Sequence, residues 1–388
     1  MRNKIVMVVL SVALVVSLVI VGCAKPTPAP GPTPTPTPTP APEQEVIKWR
    51  MSTNWSPSIN MIEMDERLAE KITEASGGRL DIHFSPAGEV VGSMELFDAV
   101  SKGTLDAGCS WMNYWAGKNT AFDLMSSYPL GLQQLDYLIW YFQGGGKELL
   151  DDLCAKYNMV YFPHDSTSME SGLRCSKKKI DSLEAYKGVK ARMSGMAQGY
   201  ILEKLGASQV MLAGGEIYEA LQRGTVDCGE FSSPGIDWGM GFQEVTKYWI
   251  APGWHQVDSF CGTMINKDSW DALPADLKCL VEECCYSTLA NSFAFHNYDS
   301  MDAMDKFETA GTEVVHLDEA SLDKLQDYAW GYLEIASAEN PDFAKIARSQ
   351  IAYLKHAETW RDTCGRFGWG RNVESYPDLS EGHLATLK

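Results

Sequence analysis

The chain has 388 residues, and its 51 Asp and Glu residues against 33 Lys and Arg residues give a formal net charge of −18. So acidic a protein is not expected to bind nucleic acid or anionic lipid headgroups, because like charges repel. The stretch from about Val46 to Lys388 is long enough for two lobes, and its many Trp, Tyr, Phe and Met residues predict a folded, globular body. An anionic ligand would therefore need a locally placed arginine.

The amino terminus predicts an extracytoplasmic protein, in the periplasm or at the outer face of the cell membrane. Arg2 and Lys4 precede an apolar run that ends in Gly22 and Cys23, which is typical of a lipoprotein signal peptide over residues 1–22. Acylation at Cys23 would anchor the protein stably, because two or more acyl chains bind the membrane firmly, whereas a single chain binds it only reversibly. An uncleaved signal anchor is the alternative.

The segment 23–45 contains PTPAPGPTPTPTPTPAP, whose alternating prolines cannot pack a core and favour an extended polyproline conformation. We expect a Cys-anchored, Pro/Thr-rich linker that spans roughly 60 Å, at about 3.1 Å per residue. No later stretch is apolar enough to span a bilayer.

Ten cysteines occur, and nine remain once Cys23 is assigned to lipid, so they cannot all pair. Cys279, Cys284 and Cys285 have no nearby His or CxxC partner, which argues against a zinc site. We expect mostly buried free thiols, with one or two disulfides allowed.

The body opens with the strand, helix and strand order that is typical of α/β proteins. IKWRMS from Ile47 and RLDIHFSP from Arg79 alternate as strands do, and a helix is expected between Asn60 and Gly77. MELFDAVSKGTLDAGCS from Met94 resembles EIYEALQRGTVDCGEFS from Glu216, which favours two similarly built lobes over a coincidence of ordinary units.

The segment GVKARMSGMAQGYILEKLGASQVML predicts a strand, a helix and a second strand, with Arg192 at the carboxyl end of the first strand. Ligands of open α/β sheets bind at that edge. A guanidinium can hold a carboxylate through two parallel hydrogen bonds. The alternative is an arginine in a surface or structural ion pair.

Catalytic signatures such as GxSxG, HExxH, the P-loop and paired CxxC do not occur, so we expect no enzyme. Gly144 to Lys147 and His164 to Ser166 are expected in turns or loops. Trp111, Tyr114 and Trp115 follow the first repeated unit, where they would either wall a small organic ligand or belong to the core.

Four longer segments give the chain a family resemblance. They are SKGTLDAGCSWMNYWAGKNTAFDL, IDSLEAYKGVKAR, GGEIYEALQRGTVD and APGWHQVDSFCGTMINKDSWDALP. Together they resemble the extracytoplasmic solute receptors of TRAP transporters, the DctP-like substrate-binding proteins, and most of all the branch that binds 2-oxo acids and lactate.

The resemblance implies an α/β, two-lobed, periplasmic-binding-protein-like fold with a hinged cleft and a long bracing helix. Lobe 1 would comprise residues 46–171 and 257–297, and lobe 2 residues 172–256 and 298–388 with the carboxyl-terminal helices. The implied function is capture of a small 2-oxo or 2-hydroxy acid for uptake through TRAP membrane subunits. The alternatives are a sensory receptor or an exported metal-dependent enzyme that acts on a small acid.

The resemblance also implies roles for individual residues. Arg192 would clamp the ligand carboxylate, with Tyr114, Trp115, Glu230, Phe231 and Arg174 as further ligand contacts. A Na⁺ or Ca²⁺ ion would bridge ligand and protein through Glu170, the Phe231 carbonyl and Gln256. The acid and the amide are exchanged relative to the family, although hard cations accept oxygen from both.

The alternative for Glu170 and Gln256 is that they are merely polar cleft residues. Relatives in this branch can pair through their carboxyl-terminal helices, and FAKIARSQIAYLKHAETW is helical enough to allow a homodimer.

Overall fold

The computed structural model describes residues 46–364. The predicted signal peptide, Cys23, the linker over residues 23–45 and the last 24 residues of the predicted second lobe, 365–388, lie outside the described residues.

The secondary structure alternates between strands and helices. The strands are β1 Ile47–Thr53, β2 Leu80–Ser85, β3 Ala107–Trp111, β4 Met159–Met169, β5 Leu173–Cys175, β6 Lys190–Arg192, β7 Ser208–Val210, β8 Cys228–Gly229, β9 Tyr248–Ala251, β10 Asp258–Asn266 and β11 Glu313–His316. The helices are α1 Ile62–Ala75, α2 Leu96–Ser101, α3 Gln134–Gln143, α4 Gly146–Ala155, α5 Met196–Lys204, α6 Ile217–Arg223, α7 Pro234–Gly239, α8 Phe242–Val245, α9 Lys267–Asp271, α10 Ala275–Thr309, α11 Glu319–Glu339 and α12 Pro341–Cys364.

The first sheet has the order β2-β1-β3-β10-β4. Strand β1 pairs in parallel with β2 and β3, whereas β10 runs antiparallel to β3 and β4. Trp49 and Met51 of β1 are buried and pack with Leu68 and Ile72 of α1, so the alternating pattern predicted the buried face correctly. The helix expected between Asn60 and Gly77 is present as α1, whose N-cap residue is Met61 and makes no side-chain capping hydrogen bond.

The second sheet has the order β11-β9-β5-β8-β6-β7. The predicted unit around Arg192 is present as β6, α5 and β7, with β6 and β7 parallel. The two central strands of this sheet, β5 and β8, are joined by a disulfide between Cys175 and Cys228. Seven further cysteines of the described chain are free, and all of these except Cys279 and Cys364 are buried.

The two similar segments belong to different sheets. The segment from Met94 forms α2 and β3, and the segment from Glu216 forms α6 and β8. The long helix α10 contacts both sheets. Ser292 of α10 accepts a hydrogen bond from the Ser166 backbone N–H of β4 at 2.9 Å, and Phe307 packs edge-on against Trp249 of β9. The expected two-lobed α/β fold with a bracing helix is confirmed.

The last helix, α12, packs against α11 and also contacts α3 and α4 beside the first sheet. Trp140 Nε1 donates to Ser349 Oγ at 3.0 Å, and Lys345 pairs with Asp152 at 2.9 Å. Phe343 of α12 is buried and lies edge-on to Tyr128 and to Tyr332 of α11.

Within residues 46–364, no helix is both long enough and apolar enough to cross a membrane.

Candidate functional site

A small cavity lies where segments of the two sheets meet. The carboxyl ends of β1 and β3 bring Trp55, Trp111 and Tyr114 to it, and the carboxyl ends of β6 and β8 bring Arg192, Glu230 and Phe231. Its lining is Trp55, Met61, Trp111, Tyr114, Thr167, Arg192, Ser194, Glu230, Phe231, Ser232, Gln256, Ser259 and Cys261. The position agrees with the rule that α/β sheets bind ligands at the carboxyl ends of their strands.

Arg192 is 1% exposed and lines this cavity while also forming an internal ion pair. Its Nη1 donates to the Glu230 carbonyl at 2.7 Å and to Glu230 Oε1 at 2.8 Å. Nε and Nη2 both donate to the Leu212 carbonyl, at 3.2 and 3.1 Å. A guanidinium has five N–H donors, so one N–H on Nη2 is left for a further acceptor.

Glu230 carries a buried negative charge that the protein stabilises. Burial alone would raise the pKa of its carboxyl, but the positive charge of Arg192, the neighbouring His255 and a hydrogen bond from the Ser194 N–H lower that pKa below its ordinary value. Buried charges persist when they are paired in this way. The Glu230 carboxylate is therefore a fixed anion at the edge of the cavity.

Glu170 and Gln256 are brought together through Ser259. Gln256 Nε2 donates to Ser259 Oγ at 3.1 Å, and Ser259 Oγ donates to Glu170 Oε1 at 2.9 Å. Burial, followed by the nearby charge of Glu230, raises the pKa of the Glu170 carboxyl well above its ordinary value. Among residues 46–364, no cationic side chain forms an ion pair with Glu170, whose carboxyl group is buried.

The unpaired carboxylate oxygens of Glu170 and Glu230 are suited to bind a cation. Glu170 Oε2 and Glu230 Oε2 are both buried and accept no hydrogen bond within the described residues. Carboxylate oxygens in this state are the ligands that hard cations prefer. Gln256 lines the cavity together with Phe231, so three of the expected ligand residues and Glu230 share one small region.

Aromatic rings form one wall of the cavity. Tyr114 contacts Trp55 and Trp111 edge-on, with ring centroids 6.2 and 5.0 Å apart, and Trp55 contacts Phe231 at 6.0 Å. Burial raises the pKa of Tyr114 to about 12, so its hydroxyl keeps its proton and can donate a hydrogen bond at neutral pH.

The structure corrects the expectation for Trp115. This ring does not line the cavity but packs in the hydrophobic core against Phe97, at 5.3 Å between centroids. Its Nε1 donates to Ser110 Oγ at 3.1 Å. The short 3-10 helix Met112–Trp115 turns the two neighbouring rings in different directions, which the sequence pattern could not show.

Arg174 is corrected in the same way. Its Nε donates to Asp237 Oδ2 at 3.0 Å, and its guanidinium lies 3.7 Å from the ring centroid of Trp249 and 4.0 Å from that of Phe307. It does not line the cavity. Arg174 is therefore a structural residue that joins β5, α7, β9 and the bracing helix.

Several residues at the cavity were not predicted from the sequence. Among the lining residues these are Trp55, Ser194, Ser232 and Ser259. His255, which lies beside Glu230, was not predicted either. Trp55 follows the carboxyl end of β1 and could have been found by the rule that identified Arg192. The serines carry no comparable signal in the sequence.

The fold and the enclosed site together define a two-lobed solute-binding protein. The family model described as "Bacterial extracellular solute-binding protein, family 7", DctP, matches residues 51–334, so the chain belongs to this family. It is a solute-binding protein of the TRAP type, and the family is not one of enzymes.

The chain is similar to a monocarboxylate 2-oxoacid-binding periplasmic protein of Nostoc sp. PCC 7120, with 28% identity over 81% of this chain and 86% of the relative. A TRAP solute-binding protein of Bordetella bronchiseptica, crystallised as a mixed-occupancy dimer with calcium and picolinate, has 26% identity and a TM-score of 0.79 over 89% of this chain and all of that one. A Pseudoalteromonas atlantica protein with sodium and pyruvate has the same identity and TM-score over 86% of this chain and all of its own.

Proposed function

We propose that this protein captures a small 2-oxo or 2-hydroxy acid and delivers it to the membrane subunits of a TRAP transporter. The observation that carries the proposal is the buried guanidinium of Arg192 at an enclosed cavity. The relatives that bind 2-oxo acids or pyruvate support the choice of ligand class.

The small size of the cavity favours a small ligand. The centres of water-sized molecules can occupy only about 20 Å³ of it, which is room for one or two waters, so even a small acid requires the lobes to open. The aromatic wall of Trp55, Trp111 and Tyr114 would cover the apolar part of such an acid. A short-chain acid fits this space better than a sugar acid does.

Arg192 would hold the ligand carboxylate, with Glu230 limiting how it does so. One N–H of Arg192 is left over in the present arrangement, so a bidentate grip requires a ligand oxygen to take the place of Glu230 Oε1, 2.8 Å from Nη1. Closure of the lobes on the acid would supply this exchange, because a ligand favours the state in which it makes more contacts.

The proposal includes a cation that bridges acid and protein. Glu170, the Phe231 carbonyl and Gln256 would hold it, with Glu230 as a further ligand, and Ca²⁺ or Na⁺ accompanies the acid in the related structures. Such an ion would supply positive charge to the 2-oxo or 2-hydroxy oxygen. Residues 46–171 and 257–297 would form one closing lobe and residues 172–256 most of the other.

The proposal also includes a lipid anchor at Cys23 and a homodimer. One related structure is a dimer. Trp330 and Ile351, on α11 and α12, are 57% and 37% exposed beside an apolar groove that Leu333 and Leu354 share, a surface that a second copy could cover. Mass spectrometry of the intact protein and light scattering test these two features.

Isothermal titration calorimetry with pyruvate, lactate and longer 2-oxo acids tests the central proposal. Arg192→Met should weaken binding by at least about 30-fold, since truncation of a buried charge partner costs about 2–5 kcal/mol. Arg223→Met, on the exposed face of α6, should leave the affinity unchanged. Near-normal affinity of the Arg192 variant would refute the role of this residue.

A further inference from the structure

Asp123 makes a polar contact between the two halves of the fold. It lies in the short 3-10 helix Thr120–Leu124, which follows β3 of the first sheet. Its Oδ1 accepts a hydrogen bond from the backbone N–H of Met196 at 3.4 Å. Met196 is the first residue of α5, which follows β6 of the second sheet. A carboxyl group from one half therefore contacts the start of a helix in the other half.

The amino end of α5 has no side-chain cap of its own. The N-cap residue is Gly195, which offers no side-chain oxygen. Helices favour an oxygen acceptor at this position, because the N–H groups of the first turn have no partner within the helix. The N–H groups of Met196 and Ala197 both interact with the Asp123 carboxyl. Asp123 thus supplies the cap that α5 lacks.

Both sides of this contact lead directly to the cavity. Asn113 Nδ2 donates to the Asp123 carbonyl at 2.9 Å, and the next residue is Tyr114 of the cavity wall. On the other side, Met196 comes two residues after Ser194, which also lines the cavity. Separation of the two lobes would therefore break the contact between Asp123 and α5 and admit water to the carboxyl group.

The Asp123 carboxyl is buried without a positive partner in the part of the chain that the structure describes. The residue is 1% exposed, and its Oδ2 accepts no hydrogen bond from residues 46–364. The titratable side chains that face it are Tyr128 and Tyr332 of α11, and no charged side chain of α5, α11 or α12 influences its pKa. Burial raises the pKa of this carboxyl from the ordinary 3.8 to about 7, although the N–H groups of Met196 and Ala197 lower it.

We propose that Asp123 couples closure of the lobes to the uptake of one proton from solvent, so that capture of the acid is favoured at mildly acidic pH. The inference rests on the proposed function, because it needs lobes that close on the acid. In the open form water reaches the carboxyl and its pKa returns to the ordinary value. Between about pH 4 and pH 7 the closed form then holds one proton more than the open form. Proton and acid favour the same state, so each strengthens binding of the other.

Calorimetry of pyruvate binding to the full-length protein, in buffers of different ionisation enthalpy, tests the inference. At pH 6 the wild type should take up close to one proton per pyruvate. Its affinity should be at least about 10-fold higher at pH 5.5 than at pH 8, since a pKa difference of one unit corresponds to a tenfold change in the equilibrium. Pyruvate stays ionised at both pH values, because its carboxyl has a low pKa.

Asp123→Asn keeps an oxygen acceptor for the Met196 N–H but cannot be charged. This variant should lose the proton uptake and bind pyruvate at pH 8 at least about 10-fold more tightly than the wild type. Asp237→Asn is the matched control. Asp237 is an equally buried carboxyl whose pKa is raised to about 6, but its partners Arg174 and Ser232 belong to the same half of the fold. Proton uptake should therefore be unchanged in this control.

Pyruvate binding without proton uptake at pH 6, or proton uptake that persists in Asp123→Asn, would overturn the inference. A cap with a purely structural role would change the melting temperature and leave the proton count as it is. If Asp123→Asn does not fold, Asp123→Ser replaces it, because serine is also a good cap, with the same expected loss of proton uptake. Acid binding that needs Arg192 but takes up no proton leaves the proposed function intact and refutes this inference alone.

Discussion

Two arginine–carboxylate pairs in the second sheet have nearly the same geometry and different surroundings. Arg174 and Asp237 are 3.0 Å apart and both 0% exposed, and Arg192 and Glu230 are 2.8 Å apart and both 1% exposed. Aromatic rings cover the Arg174 guanidinium, whereas Arg192 borders a cavity. Burial and pairing therefore do not identify a binding residue; the adjoining enclosed space does.

The two carboxyl groups also differ in their electrostatics. Burial raises the pKa of Asp237 to about 6 despite the charge of Arg174. The pKa of Glu230 is lowered instead, because Arg192 and its other hydrogen-bond donors outweigh the effect of burial. The Arg174 pair thus sits in the less polar environment, as expected for a structural contact.

Removal of Arg174 should produce the largest change in stability. Arg174→Met leaves the Asp237 carboxylate buried without its cation, which should lower the free energy of unfolding by about 3–5 kcal/mol. Urea denaturation measures this loss. The double variant Arg174→Met, Asp237→Leu should recover most of it, because replacement of a buried pair by apolar residues is often neutral.

The same variants test the contrast with Arg192. Pyruvate affinity of Arg174→Met, measured well below its melting temperature, should stay within a few-fold of the wild type. A variant that keeps its stability but loses the ligand would show that Arg174 belongs to the binding site after all.

The pH dependence of stability should separate the two pairs with a smaller effect. The folded protein holds a proton on Asp237 up to about pH 6, against an ordinary pKa of 3.8. The unfolded chain binds fewer protons in this window, so the contribution of Asp237 to stability falls as the pH rises from about 4 to about 6, by on the order of 3 kcal/mol. Asp237→Asn should remove this slope in urea titrations.

Glu230 should show the opposite sign. Its folded pKa lies below the ordinary 4.5, so its contribution is present above about pH 4.5 and is lost as the pH falls through the folded pKa. The difference between wild type and Glu230→Gln should therefore change only below about pH 4.5. If the difference in stability between wild type and Glu230→Gln changed between pH 5 and 6, this assignment would be contradicted.

The sequence predicted most of the fold, and several of the residues it singled out line the cavity. Arg192 was identifiable because the sequence pattern places it at the end of a strand in an α/β unit. In the structure it is the last residue of β6. Arg174 was misjudged because its ring partners Trp249 and Phe307 are distant in sequence. His255 was missed because a single histidine has no local pattern; only the folded chain brings it to Glu170 and Glu230.

Two adjacent aromatic residues offer the finest test of the same contrast between core and cavity. Trp115→Phe removes the hydrogen bond from Nε1 to Ser110 Oγ and part of the packing on Phe97, and it should lower the free energy of unfolding by about 1–2 kcal/mol. Tyr114→Phe removes a hydroxyl at the cavity and should weaken acid binding about 5-fold, equivalent to about 1 kcal/mol.

Thermal melts and calorimetry on both variants measure the two effects. Because Tyr114 lines the cavity and Trp115 belongs to the core, each variant should leave the other quantity almost unchanged. The reverse outcome would place the binding wall at Trp115 and contradict the site described above.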